Sequence, residues 1–266
     1  MAVFSVFVFG LAIGSFLNVL ICRLPKKESI LGYSKCLHCH KGIIWRDNIP
    51  IFSFILLRGR CRNCRAKISG QYPLVESLAG FLFLILFLLY GKEPAFLVYS
   101  LFLASLLVAI AFIDFRRFVI LDNLILAGFL IAILYLILNA SYSILNCGLI
   151  SCSLKDSLSG VLFFAGIFAA IFLVSGGRWL GFGDVKFAAL LGFIFGLKNS
   201  IGLFYLTFFL GFIIAIILLV LKKADLRTKV PLGSIMAGAS ILFLLSGFNI
   251  LDLINGELII RLWTRN

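Results

Sequence analysis

Carboxylates are the scarce group in this chain: eleven Asp and Glu stand among 266 residues, against 24 Lys and Arg. Charge of either sign is thin, at 13% of residues, where a soluble domain carries about 25%. Apolar residues make up 62%, against roughly 45–50% in globular proteins, which is too many for the surface of a soluble domain of this size. An ordinary soluble fold is therefore excluded. The first apolar run, Ala2 to Ile21, has no basic region before it and contains Ser15 and Asn18, so a retained first helix is expected rather than a cleaved signal peptide. No Rossmann-type glycine fingerprint is present. No aromatic–basic alternation of an RNA-reading type stands out, and neither does an internal repeat or a low-complexity linker.

Long apolar runs are what the chain does have. Several approach or exceed the ~20 residues that cross a bilayer as helix. They predict spans at 1–22, 73–90, 94–113, 118–139, 157–175, 185–198, 201–221 and 231–250. The expected fold is an all-α polytopic membrane protein with about eight transmembrane helices and a small zinc-binding cytoplasmic domain between helices 1 and 2. The expected divisions are helix 1 at 1–22, a basic tetracysteine domain at 23–72, a transmembrane core at 73–250 and a tail at 251–266. The short 185–198 span contains glycine and is expected to tilt or re-enter.

The net charge of +13 is concentrated. Residues 23–72 hold eleven basic side chains and two acids, Glu28 and Asp47, a net of +9. Basic residues gather in cytoplasmic loops. With this segment inside, Arg116-Arg117, Arg178 and the Lys222–Lys229 loop fall inside too, whereas the 140–156 loop falls outside. Arg261 and Arg265 in the tail fit an outside position less well, and the tail is expected to lie along the interface. The excess charge thus reads as topology, with the lipid bilayer as the partner and no nucleic acid.

Four of the seven cysteines form Cys36-Leu-His-Cys39 and Cys61-Arg-Asn-Cys64. A two-residue gap lets a tight turn present both sulfurs to one metal, and two such pairs make a tetrahedral zinc site. A domain of about 50 residues has a marginal core, which a metal would reinforce. His38 and His40 are read as surface neighbours, and Cys22 as a packing residue. Cys147 and Cys152 fall in the outside loop, where a disulfide and two free thiols are both open.

The acids can be sorted by elimination. Glu93, Asp156, Asp225, Asp252 and Glu257 fall in loops or ends, where solvation accounts for them. Glu76, Asp114, Asp122 and Asp184 sit near helix ends on the cytoplasmic side. Ionisable groups at membrane depth cost ~2.5–3.5 kcal/mol each even on the lenient insertion scale, so they are candidates for function. Asp122 suits a cap, and Glu76 suits either the dipole of a helix start or a second activity. Asp184 lies in Gly181-Phe-Gly-Asp184, where glycine permits close approach of backbone to a substrate. Two facing aspartates can share a proton and activate water between them. That pattern points to Asp114 and Asp184 as a catalytic pair. Two readings compete with it: a non-catalytic zinc-containing assembly factor, and a transporter using the same carboxylates.

The ordered motifs resemble one family, the bacterial type IV prepilin peptidases. Gly14-Ser-Phe-Leu-Asn18 and Cys22-Arg-Leu-Pro25 come first. The two cysteine pairs follow, with Trp45-Arg-Asp-Asn-Ile-Pro50 between them and Leu57-Arg-Gly-Arg-Cys61 leading into the second. Tyr72-Pro-Leu-Val-Glu76, Ile113-Asp114, Asp122 and Gly181–Lys186 complete the order. The chain after about residue 190 adds only helices to the resemblance. The chain departs from the family at Leu121, where members often have proline, and at Arg116, where many have an acid. The resemblance implies a GxGD-type aspartyl peptidase of the inner membrane, with Asp114 and Asp184 catalytic and the active site at the cytoplasmic side. Its substrates would be type IV prepilins or pseudopilins, cut after a glycine. It also implies N-methylation of the new N-terminus with S-adenosylmethionine, and metal binding by Cys36, Cys39, Cys61 and Cys64.

Overall fold

A computed structural model describes residues 1–36, 38–142, 150–151, 153–221 and 230–246. Cys147, Cys152, the Lys222–Lys229 loop and the tail lie outside the described residues. Among those described, the fold is helical, with two isolated β-bridges as its only extended pairing. The helices are α1 (Ala2–Arg23), α2 (Phe52–Leu56), α3 (Gln71–Tyr90), α4 (Pro94–Arg117), α5 (Asp122–Tyr142), α6 (Leu154–Ser175), α7 (Phe182–Val220) and α8 (Leu232–Ser246). A 3-10 turn covers Trp45–Asn48.

Among the described residues, five helices are long and apolar enough to cross a membrane: α1, α3, α4, α6 and α7. Asp122–Leu138 and α8 are shorter apolar helices. The spans expected at 185–198 and 201–221 both fall within α7. At 39 residues and about 1.5 Å per residue, α7 would be roughly twice the hydrocarbon thickness if it were straight. Gly196 interrupts it with φ 69° and ψ 178°, dihedrals that only glycine adopts freely.

The chain divides into two compact units, Met1–Ile113 and Asp114–Asn266. In the first, α1 lies tightly against α3. A Cβ at Gly14 would come within 2.6 Å of the Glu76 Cα, and one at Gly10 within 2.8 Å of the Phe83 Cβ. Small residues one turn apart let two apolar helices approach where dispersion, rather than water, drives association. Leu17, Ile21, Val75, Ala79 and Leu86 fill this seam. Below it, the Asn18 amide donates to the Tyr72 carbonyl at 3.1 Å and accepts from Gln71 Nε2 at 3.3 Å.

In the second unit α6 and α7 pack most closely. A Cβ at Gly160 would sit 2.2 Å from the Gly192 carbonyl oxygen, and one at Gly192 would sit 2.4 Å from the Gly160 oxygen. Phe164, Phe168, Phe187 and Phe195 are fully buried around this crossing, and Phe195 meets Phe243 of α8 edge-on at 5.4 Å. Asp156, expected as a solvated loop acid, lies in the first turn of α6. Its Oδ1 accepts the Leu197 N–H at 3.1 Å, so it caps the half of α7 that restarts after Gly196. Nothing in the sequence pointed to this, because the helix start it serves lies inside what reads as one long apolar region.

Candidate active site and metal centre

Asp114 ends up in the last turn of α4, only 4% exposed. Its Oδ2 accepts two hydrogen bonds from Ser234 at the start of α8: the backbone N–H at 2.7 Å and the hydroxyl at 3.0 Å. A Cβ at Gly233 would lie 3.0 Å from the Asp114 carboxylate and 2.8 Å from Ile120 Cδ1. Glycine is what lets α8 come this near. The region after residue 190 therefore supplies part of the site as well as helices. Pro231-Leu-Gly-Ser234 at a helix start was the signal available, since proline suits the start of a helix and the free N–H groups of a helix's first turn favour an anion.

Asp184 is the third residue of α7. Its Oδ2 accepts the Gly181 N–H at 3.2 Å, and its own N–H donates to the Gly181 carbonyl at 3.1 Å. Gly183 between them packs against Ile120, 3.3 Å from where a Cβ would be. Both glycines of the motif thus make room: a Cβ at Gly181 would lie 3.3 Å from Asp184 Oδ2, and Gly183 admits the α4–α5 connection. The Asp114 carboxylate lies close enough to Asp184 to act on it electrostatically. Neither carboxylate has a salt-bridge partner among the described residues.

The other two membrane-edge acids have separate partners. Asp122 opens α5 and binds Lys186 Nζ at 2.7 Å, while Lys186 also lies 5.1 Å from the Phe182 ring centre. Glu76 is buried past the first turn of α3, so the helix-start explanation does not apply to it. Its Oε2 accepts the Ile51 N–H at 2.7 Å.

Cys36, Cys39, Cys61 and Cys64 converge, with all four sulfurs within 4.8 Å of one another. Cys36 Sγ and Cys64 Sγ are 3.8 Å apart. Tetrahedral ligands at a Zn–S distance of about 2.3 Å would be separated by about 3.8 Å, so the cluster fits a tetrahedral metal. The Cys39 and then the His38 backbone N–H groups hold the Cys36 thiol down to about 6, which makes it a thiolate at neutral pH.

The two cysteine turns are built alike, although no internal repeat was expected. Cys36 N–H donates to Lys41 O, and Cys61 N–H to Ala66 O. His40 N–H returns to Cys36 O, and Arg65 N–H to Cys61 O. Lys35 bridges Gly42, and Arg60 bridges Lys67. His40 and Arg65 both take positive φ, 55° and 59°. The repeat is short, and few side chains beyond the cysteines match, so the correspondence lies in the backbone. Nearby, Arg62 forms a two-pronged pair with Asp47, at 2.8 and 2.6 Å, and holds that carboxyl below its usual range.

Long apolar helices, two carboxylates at helix ends and, elsewhere in the chain, a four-cysteine cluster make this a multi-pass membrane protein with the groups that hydrolysis needs. Residues 8–90 match the bacterial peptidase A24 N-terminal domain, and residues 101–220 match the type IV leader peptidase family. Prepilin leader peptidase/N-methyltransferase of Aeromonas hydrophila is 31% identical over 92% of this chain and 91% of its own length. The Bacillus subtilis protein of that name is 31% identical over 92% and 95%. A third, from Myxococcus xanthus, is 44% identical over 49% of this chain, but the match covers 39% of that protein. No solved structure gives a significant match. The chain belongs to the type IV leader peptidase family.

Proposed function

We propose that the chain is a membrane aspartyl endopeptidase that removes leader peptides from type IV prepilins or pseudopilins, with Asp114 and Asp184 as its catalytic pair. Cleavage follows a glycine at the cytoplasmic face of the inner membrane. The observation that carries this reading is the approach of two carboxylates 70 residues apart in the chain, with glycine, serine and backbone as their neighbours and no salt bridge to either among the described residues.

Two such carboxylates share one proton. The ionised member takes a proton from a water held between them, and the water oxygen attacks the peptide carbonyl. The protonated member gives its proton to the developing oxyanion. Collapse then expels the amine, with a proton returned to it. Ser234 fixes Asp114 through Oδ2, and the water would be held by the other carboxylate oxygen. Gly181 does the same for Asp184. The sequence Gly181–Asp184 leaves backbone exposed for an extended substrate segment.

The four cysteines would hold zinc, which cross-links the two turns. S-adenosylmethionine supplies a methyl group when bound, and the chain is proposed to methylate the newly exposed N-terminus. Among the described residues no nucleoside loop presents itself for that cofactor, so the methyl transfer is proposed without named residues.

Co-expression with a prepilin, followed by mass spectrometry of the product's N-terminus, tests both activities together. The expected product begins after the glycine and carries one added methyl group. Normal processing by both Asp114→Asn and Asp184→Asn would overturn the peptidase assignment and leave the assembly-factor reading.

A further inference from the structure

Between the two cysteine turns the chain displays apolar side chains that no described residue covers. Ile44 is 56% exposed and Trp45 70%. Trp45 opens the 3-10 turn, which packs beside α2. On α2, Phe52, Ile55 and Leu56 are 56%, 66% and 64% exposed. Residues three and four apart share one helix face, so these three present a single apolar surface. Contiguous exposed apolar surface marks a contact with a partner or a membrane.

The backbone fixes where that surface sits. Ile51 has φ 60° and ψ −50°, and the Phe52 N–H closes back onto the Pro50 carbonyl at 2.5 Å. This is a γ-turn of the strained kind, on a β-branched residue that disfavours positive φ. Such a conformation persists only where its surroundings hold it. Here the buried Glu76 carboxylate does so by accepting the Ile51 N–H at 2.7 Å. Glu76 is five residues into the span α3, about 7.5 Å along its axis. The start of α2 is therefore clamped near the first turns of the apolar helix α3. The same module is joined to α1 at Arg23 and to α3 at Gln71.

Its charge is complementary to an anionic leaflet. Arg46, whose guanidinium carbon lies 5.3 Å from the Trp45 ring centre, Arg58 and Arg60 are exposed on and beside the apolar segment. Tryptophan with flanking arginine is the composition that settles at a membrane–water interface, and basic clusters there meet anionic headgroups.

We propose that the Trp45–Asn48 turn and α2 form a foot that enters the anionic leaflet at the headgroup–acyl boundary. Trp45, Phe52, Ile55 and Leu56 sit in the lipid, and Arg46, Arg58 and Arg60 meet phosphates. The foot sets the height of the tetracysteine module above the bilayer. It does not depend on the peptidase reading.

The test uses the full chain with Trp179→Phe and Trp263→Phe, leaving Trp45 as the sole tryptophan, in nanodiscs of phosphatidylcholine with phosphatidylglycerol. Lipids brominated near the headgroup end of the acyl chain should quench most of the Trp45 emission, and aqueous acrylamide should quench little of it. Replacing phosphatidylglycerol by phosphatidylcholine should weaken the lipid quenching. The double variant Phe52→Asp with Ile55→Asp should lose it while keeping the metal content of the parent. Acrylamide quenching as free as that of tryptophan in solution, with no effect of brominated lipid, would overturn the proposal. So would lipid quenching that the double variant leaves unchanged. Protection that appears only on adding a prepilin peptide would also overturn it, making the surface a substrate contact.

Discussion

At the scale of single residues, the proposed chemistry rests on Asp114 and Asp184, and on Ser234 behind the first of them. Replacing either aspartate by asparagine keeps the shape and removes the ability to exchange a proton. Leader cleavage should fall by about 10²–10⁴-fold while protein levels hold, as read from the ratio of precursor to product on a gel. Ser234→Ala removes the hydroxyl donor to Asp114 Oδ2 but leaves the backbone N–H. A hydrogen bond to a charged group is worth ~1.5–3 kcal/mol, so cleavage should slow by roughly 10- to 100-fold with an unchanged cut site. The aspartates were visible in the sequence because acids are rare and one follows Gly-Phe-Gly. Ser234 was not, since its partner lies 120 residues away and one serine among apolar neighbours is unremarkable. Asp47 is a different case. Arg62 lowers its folded-state value, so the pair's stabilisation is complete above the ordinary carboxylate range and fades as pH falls through the lowered value. The stability difference between the parent and Asp47→Asn should therefore be level above about pH 5 and shrink below about pH 4, as followed by Trp45 fluorescence in the full chain carrying Trp179→Phe and Trp263→Phe.

At the scale of elements, close approach of helices is the recurring device. Gly192→Ala would put a Cβ 2.4 Å from the Gly160 oxygen, and the backbone there cannot yield without separating α6 from α7. A loss of about 1–3 kcal/mol is expected, measured by unfolding in detergent micelles. Asp156→Ala would leave the Leu197 N–H uncapped where α7 restarts, at a cost of ~1 kcal/mol, and Asp156→Asn should recover most of it because an amide oxygen still accepts. The apolar segments themselves were plain from composition. That two of them belong to one interrupted helix was not, because the break depends on the dihedral of a single glycine and on a carboxylate from the neighbouring helix.

At the scale of the whole molecule, a four-cysteine module able to hold a metal and a helical membrane core share one chain. Chelation, or Cys36→Ser with Cys61→Ser, should release the metal and open residues 24–70 to protease. The α1–α3 seam should survive, since Gly10, Gly14 and their neighbours hold it without the metal. The sequence by itself determined the membrane class, the four-cysteine cluster and the candidate aspartates. Those follow from composition, from short spacings and from rarity, all of which are local. Only the tertiary structure decided that α8 supplies Ser234 and Gly233 to Asp114, that Asp156 caps α7, and that Glu76 clamps Ile51. Each of these is a contact between elements far apart in the chain, and its residues take their meaning from the partner that packing brings to them.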